Sequence, residues 1–202
     1  MKAYLNYEGL EVLAHRGGAD ESHENTLESF EYSINLGCNF IETDTQVSSD
    51  GIPYIFHDDD LKRICNISSR FDSLSSNEID KLKIFGDHKI PSLEETLNLF
   101  PETSFQIDFK TDEVANPALE VIKKTNSTNR VCVASFNSDR LERVKDKNPE
   151  LCISMGPNEV FKTLLSSFNL YKKNIPGDCL QIPLSYYGCL LYTSDAADEG
   201  SS

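Results

Sequence analysis

Apolar residues recur along the chain in two rhythms. Short runs rich in β-branched and aromatic residues predict strands at Glu11–His15, Phe40–Val47, Pro53–His57, Ser104–Lys110, Val131–Phe136, Leu151–Met155 and Cys179–Pro183. Between them apolar residues fall at helical spacing. Thr26–Leu36 carries Leu27, Phe30 and Ile34 on one face and stops at Gly37, with Asn25 and Glu28 spaced as a capping box. Ser75 with Glu78 opens a short helix carrying Ile79 and Leu82, and Ser92 with Glu95 opens another carrying Leu93, Leu97 and Phe100. Pro117 suits the first turn of a helix carrying Leu119, Val121 and Ile122. Leu141 and Val144 mark the next helix; Val160, Phe161, Leu164 and Leu165 mark the last.

Strands that alternate with helices imply parallel strands joined by crossovers. Seven strand candidates suit a (β/α)8 TIM-type barrel, although such barrels usually take about 250 residues and this chain has 202. The expectation is therefore an α/β barrel truncated before its last strand and helix, with a doubly wound open sheet as the runner-up. Asp58 to Lys89 breaks the rhythm and reads as an excursion from the barrel rim. Cys189 to Glu199 reads as a translated sequencing adapter, which sets one domain at residues 10–188, an insertion at 58–89 and a non-native tail at 189–202.

Composition narrows the partners. A net charge of −14 disfavours nucleic acid and anionic membrane surfaces, and no apolar run is long enough for stable membrane insertion. The first residues lack a signal-peptide core, so cytoplasmic residence is expected. The six cysteines show no metal-like pairing and are expected to be buried, reduced thiols.

Against that acidic background, a few residues stand out. The first apolar run ends in His15-Arg16-Gly17-Gly18 and the third in His57-Asp58, which places two imidazoles at strand ends. Ligands and chemistry gather at such ends in strand–helix folds, and two histidines can serve as an acid/base couple. Glu42 and Asp44 share one face of a strand, as do Asp108 and Lys110. Neighbouring carboxylates repel unless a positive charge lies between them, and a hard divalent cation fits the three carboxylates Glu42, Asp44 and Asp108. Arg16 and Lys110 are cations able to hold a phosphate oxygen. Asp58, Asp59 and Asp60 read as a solvated acidic loop, and His23 and His88 are given no role. The set suits cleavage of a phosphate ester.

These motifs resemble the glycerophosphodiester phosphodiesterases. The resemblance rests on His15-Arg16-Gly17 with Glu24-Asn25-Thr26, Glu42-x-Asp44, Asp50-Gly51-x-Pro53, and His57-Asp58 with Leu61 and Arg63. It continues through Ile90-Pro91-Ser92-Leu93-Glu94-Glu95 and Ile107-Asp108-Phe109-Lys110. It implies a β/α barrel with a small insertion after the second histidine. It also implies hydrolysis of a small-molecule glycerophosphodiester to glycerol 3-phosphate and an alcohol, with Ca2+ or Mg2+. By that resemblance His15 and His57 are the acid/base pair, Glu42, Asp44 and Asp108 bind the metal, and Arg16 and Lys110 hold the phosphate. The alternatives are a phosphodiester lyase releasing a cyclic phosphate, a non-catalytic phosphate- or metal-binding module, and a non-functional truncated fragment. Two departures from the family pattern are His23 in place of Pro and Asp108 in place of the commoner Glu.

Overall fold

The computed structural model describes residues 2–173, 175–180, 185–186 and 189–190. Its centre is a parallel sheet of β1 (Leu13–Ala14), β2 (Phe40–Val47), β4 (Ser104–Phe109), β5 (Val131–Ala134) and β6 (Cys152–Ile153), adjacent in that order. Strand order follows chain order with no reversal, so the doubly wound alternative, which needs a switch point, is excluded. This is the winding of a (β/α)8 barrel. Among the described residues the sheet is open: β6 is extended by a parallel bridge from Ser154 to Cys179, and β1 is the far edge. Of the expected seventh strand, residues 181–183 lie outside the described residues, as does most of the expected non-native tail. Residues 185–186 (β7) and 189–190 (β8) pair antiparallel.

The third strand departs from expectation. β3 (Pro53–Ile55) runs antiparallel to β2, with Thr45 facing Ile55 on one side and Phe109 on the other. The reason is the tight turn of Ser48 to Gly51, where Gly51 takes φ +86° and the chain doubles back without a helix. Pro53–His57 is thus a hairpin arm at the rim rather than a barrel strand.

Period-two alternation separates the two sheet faces. Ile41, Val47, Phe105, Ile107, Phe109, Val131, Val133 and Ile153 enter one large core with residues of the surrounding helices. Those helices are α1 (Leu27–Asn35), α4 (Leu93–Leu99), α5 (Asp112–Lys124) and α6 (Ser138–Lys147). The inner face carries Phe40, Glu42, Asp44, Gln106, Asp108, Cys132 and Cys152. Helical cover on one face and converging side chains on the other is the barrel arrangement. Residues 58–90 add α2 (Lys62–Cys65) and α3 (Ser76–Ile79) around a separate core of Tyr54, Phe56, Leu61, Phe71, Ile79, Ile84 and Ile90.

Two helix starts differ from the sequence reading. Thr26, not Asn25, caps α1, and Ser29 completes the capping box; Asn25 is drawn away by the site described below. α5 begins at Asp112 with Thr111 as its cap, so Pro117 lies inside the helix and removes one intrahelical hydrogen bond. The last helix, α7 (Pro157–Ser167), leaves Phe161 and Leu164 60% and 53% exposed rather than packed in the core. Among the described residues no helix is long and apolar enough to cross a membrane.

Candidate active site

β1 ends at Ala14 and the chain turns at once through a short 3-10 segment, His15–Gly17. Arg16 is held in the left-handed region, φ +49°. Its N–H donates to Glu42 Oε2 at 3.1 Å, and its guanidinium reaches Glu24 Oε1 at 3.2 Å and Asp44 Oδ2 at 3.3 Å. Gly17 has no alternative here. A Cβ on it would lie 2.5 Å from the Phe30 ring and 2.5 Å from Ser29 Oγ. Asn25, also left-handed at φ +57°, donates from Nδ2 to Asp44 Oδ2 at 2.9 Å and accepts from Thr43 Oγ1 at 2.8 Å.

The register of β2 and β4 brings the carboxylates together: Glu42 faces Gln106, and Asp44 faces Asp108. Lys110 Nζ lies 2.7 Å from Asp44 Oδ1 and 2.6 Å from Asp108 Oδ2. Burial, and then the Asp44 charge, push the Glu42 carboxyl up to about 7. Burial opposes the Lys110 ammonium, but Asp44 and Asp108 hold it above its ordinary range. Asp108 Oδ1 is buried without a hydrogen-bond partner. An orphaned carboxylate oxygen beside two further carboxylates is an all-oxygen donor set that fits a hard divalent cation. Among the described residues the ligand atoms of Glu42, Asp44 and Asp108 are not gathered as tightly as the cysteine cluster described below.

The two histidines sit differently. His15 is 67% exposed on its side chain, with Nε2 3.9 Å from Glu42 Oε2. His57 is 33% exposed and its Nδ1 is 2.7 Å from Asp58 Oδ1, which leaves Nε2 as the outward nitrogen. Asp58 is therefore not part of a solvated loop: only 18% exposed, it also accepts from Arg63 Nε at 2.7 Å. Arg63 in turn donates to both oxygens of Glu24, at 2.5 and 3.0 Å. Arg63, with the other cations nearby, outweighs burial and holds the Glu24 and Asp58 carboxyls below their usual range.

A continuous chain of charge therefore runs from His57 through Asp58, Arg63, Glu24 and Arg16 to Asp44, Lys110 and Asp108. It joins all the sequence-predicted site residues except His15, which precedes Arg16 in its turn, and Glu42, which accepts the Arg16 N–H from β2. Sequence reasoning missed Asp58, Arg63 and Glu24 as one network, because Arg63 lies in the insertion and meets Glu24 39 residues earlier in the chain. It also missed Arg140, buried on α6, which donates to the carbonyls of Phe109 and Lys110 at 2.6 and 3.1 Å and fixes the end of β4. His23 and His88, given no role, contact each other at 3.1 Å, and His88 meets Glu28.

Residues 15–160 match the family described as the Glycerophosphoryl diester phosphodiesterase family. The chain is 31% identical over 141 residues to "Probable glycerophosphodiester phosphodiesterase 2" of Mycobacterium tuberculosis, covering 69% of this chain and 53% of that protein. It is 32% identical over 158 residues to the glycerophosphodiester phosphodiesterase of Caldanaerobacter subterraneus subsp. tengcongensis, covering 71% of this chain and 65% of that protein. The chain thus spans between half and two thirds of these relatives. In structure it is similar to an Oleispira antarctica phosphodiesterase solved in complex with the product sn-glycerol-3-phosphate. The TM-score is 0.69 at 25% identity, covering 79% of this chain and 72% of that one.

Proposed function

The chain belongs to the glycerophosphoryl diester phosphodiesterase family, and from that premise we propose that it hydrolyses glycerophosphodiesters to glycerol 3-phosphate and an alcohol with a divalent cation, Ca2+ or Mg2+. The observation that carries the reading is the facing pair Asp44 and Asp108 with the orphaned Asp108 Oδ1, next to two histidines that end strands or rim segments. Glu42, Asp44 and Asp108 would hold the cation, whose contribution when bound is to neutralise phosphoryl charge.

The chain's own residues then have distinct tasks. Arg16 and Lys110 are the local cations that let a diester approach an otherwise repelling, acidic protein. His57, held through Nδ1 by Asp58, presents Nε2 for a proton, and the Asp58 carboxylate stabilises the imidazolium that results. That suits His57 to deprotonate the glycerol 2-hydroxyl, which attacks phosphorus, while His15 protonates the departing alcohol oxygen. In the second step water opens the cyclic phosphate with the two proton roles reversed. Asp58 and Arg63 are positioning residues, since they act on His57 and Glu24 rather than on the substrate. The domain is taken as residues 10–188, with residence in the cytoplasm.

Phosphorus NMR of the reaction with glycerophosphocholine tests the reading. Glycerol 3-phosphate as the final product supports it. A cyclic phosphate that accumulates without opening identifies the lyase instead, and unchanged substrate leaves a binding module or a non-functional fragment.

A further inference from the structure

On the inner face of the sheet, where the register row of Glu42 and Gln106 continues to Cys132 and Cys152, three thiols from consecutive segments converge. Cys132 on β5 and Cys152 on β6 are direct partners in the parallel register. Cys179 follows on the next segment, tied to β6 by the Ser154–Cys179 bridge and by the Met155 N–H donating to the Cys179 carbonyl at 2.8 Å. The three sulfurs all lie within 4.8 Å of one another, and Cys132 Sγ and Cys179 Sγ are 3.5 Å apart. Among the described residues this is the one grouping of three His, Cys, Asp or Glu side chains whose ligand atoms come together so closely. Cys132 and Cys152 are buried and Cys179 is half-buried, packed with Tyr4, Phe40 and Leu13.

A barrel's inner layers are ordinarily filled by branched aliphatic side chains. Three sulfurs at one level, each from a different segment, form instead a set of soft donors. Zinc–sulfur bonds of about 2.3 Å place the sulfurs of one site about 4 Å apart, within the 4.8 Å that encloses the three sulfurs here.

We propose that Cys132, Cys152 and Cys179 bind one thiophilic closed-shell cation, Zn2+ or Cu+. Binding forms three metal–sulfur bonds and releases the three S–H protons to solvent; no electron is transferred. Thiolates select such ions over Ca2+ and Mg2+, so this site and the carboxylate site do not compete for the same metal. The bound ion would pin the Cys179 segment, which pairs along β6, to β5 as well.

The test uses the full chain, reduced and stripped of metal, then loaded with Zn2+ in one arm and Cu+ in the other, each with excess Mg2+ to saturate the carboxylates. Retained metal is counted by elemental analysis after desalting, and X-ray absorption at the metal edge reads its ligands. The expected result is one ion per chain in at least one arm, surrounded by three sulfurs. Retention is expected to be lost in Cys152→Ser and kept in Glu42→Gln. Retention in one arm alone supports the site and identifies the ion. No retention in either arm, a shell of oxygen and nitrogen only, or a disulfide between these cysteines in place of metal overturns the proposal. The absorption measurement is made on the wild-type chain and so stands even where Cys152→Ser fails to fold.

Discussion

Asp44 and Asp108 face each other across the β2–β4 ladder, and one ammonium group, Lys110 Nζ, lies 2.7 Å from the first and 2.6 Å from the second. All three side chains are largely shielded from water, so the pair exists on the strength of that cation. Removing one partner of a buried ionic group leaves the others uncompensated, at a cost of about 3–5 kcal/mol. Lys110→Met should lose stability of this order in chelator, and added Ca2+ or Mg2+ should restore part of it by supplying positive charge to the same carboxylates. Urea unfolding with and without the cation measures both effects. A variant as stable as wild type in chelator would show that the aspartates do not depend on Lys110.

Glu42 carries a pH dependence of unusual sign for a carboxylate. Burial and Asp44 raise it from 4.5 to about 7 in the fold. The folded state therefore keeps a proton that the unfolded chain gives up near 4.5. This contribution to stability is complete below about pH 4.5 and is lost as pH rises to about 7, at up to about 1.4 kcal/mol per pH unit. In chelator, unfolding free energy should fall between pH 5 and 7, and Glu42→Gln should remove the slope. The divalent cation, which favours the ionised carboxylate, should stabilise the protein more strongly at pH 8 than at pH 5.

Asp58 touches His57 but no reacting atom in the proposed chemistry. Losing the group that orients a working imidazole costs about 10–100-fold where such effects are known at metal-bound histidines, and a loss of that order is expected in kcat for Asp58→Asn. KM for the diester should stay near the wild-type value. An unchanged kcat would show that Asp58 does not orient the working imidazole.

Gly17 sits at φ +76° beneath the histidine–arginine turn. A methyl group there would meet both the strain of a left-handed backbone and the Phe30 ring at 2.5 Å. Gly17→Ala should lose about 2–4 kcal/mol, from about 1–2 kcal/mol of backbone cost and the overpacking of a filled core. Thermal unfolding measures it, and a shift within error of wild type would mean that α1 moves aside freely.

Much of this was legible from period and spacing. Phe40–Val47 was read to the residue, because eight residues of strand buried on both faces leave little room for another conformation. The carboxylate and lysine pairs followed from the two-residue repeat. What the sequence hid depends on long-range contacts. The hairpin that turns Pro53–Ile55 antiparallel competes with a crossover of similar local pattern, and only the pairing with Thr45 decides it. Thr26 displaced Asn25 as a cap because Asp44 and Thr43, many residues away, claim the Asn25 side chain. Asp58 looked like one of three solvated acids until Arg63 and His57 closed on it. The thiol cluster had no spacing signal at all, since its members lie on separate segments and meet only through the pairing of β5, β6 and the Cys179 segment.

Release of glycerol 3-phosphate from glycerophosphocholine by the full chain, followed with and without chelator, tests the central claim most directly. The account predicts release in Ca2+ or Mg2+, its loss on chelation and recovery on re-addition, and its loss in His57→Ala and Glu42→Ala. No release under any of these conditions, or release indifferent to chelator and to both substitutions, would contradict it.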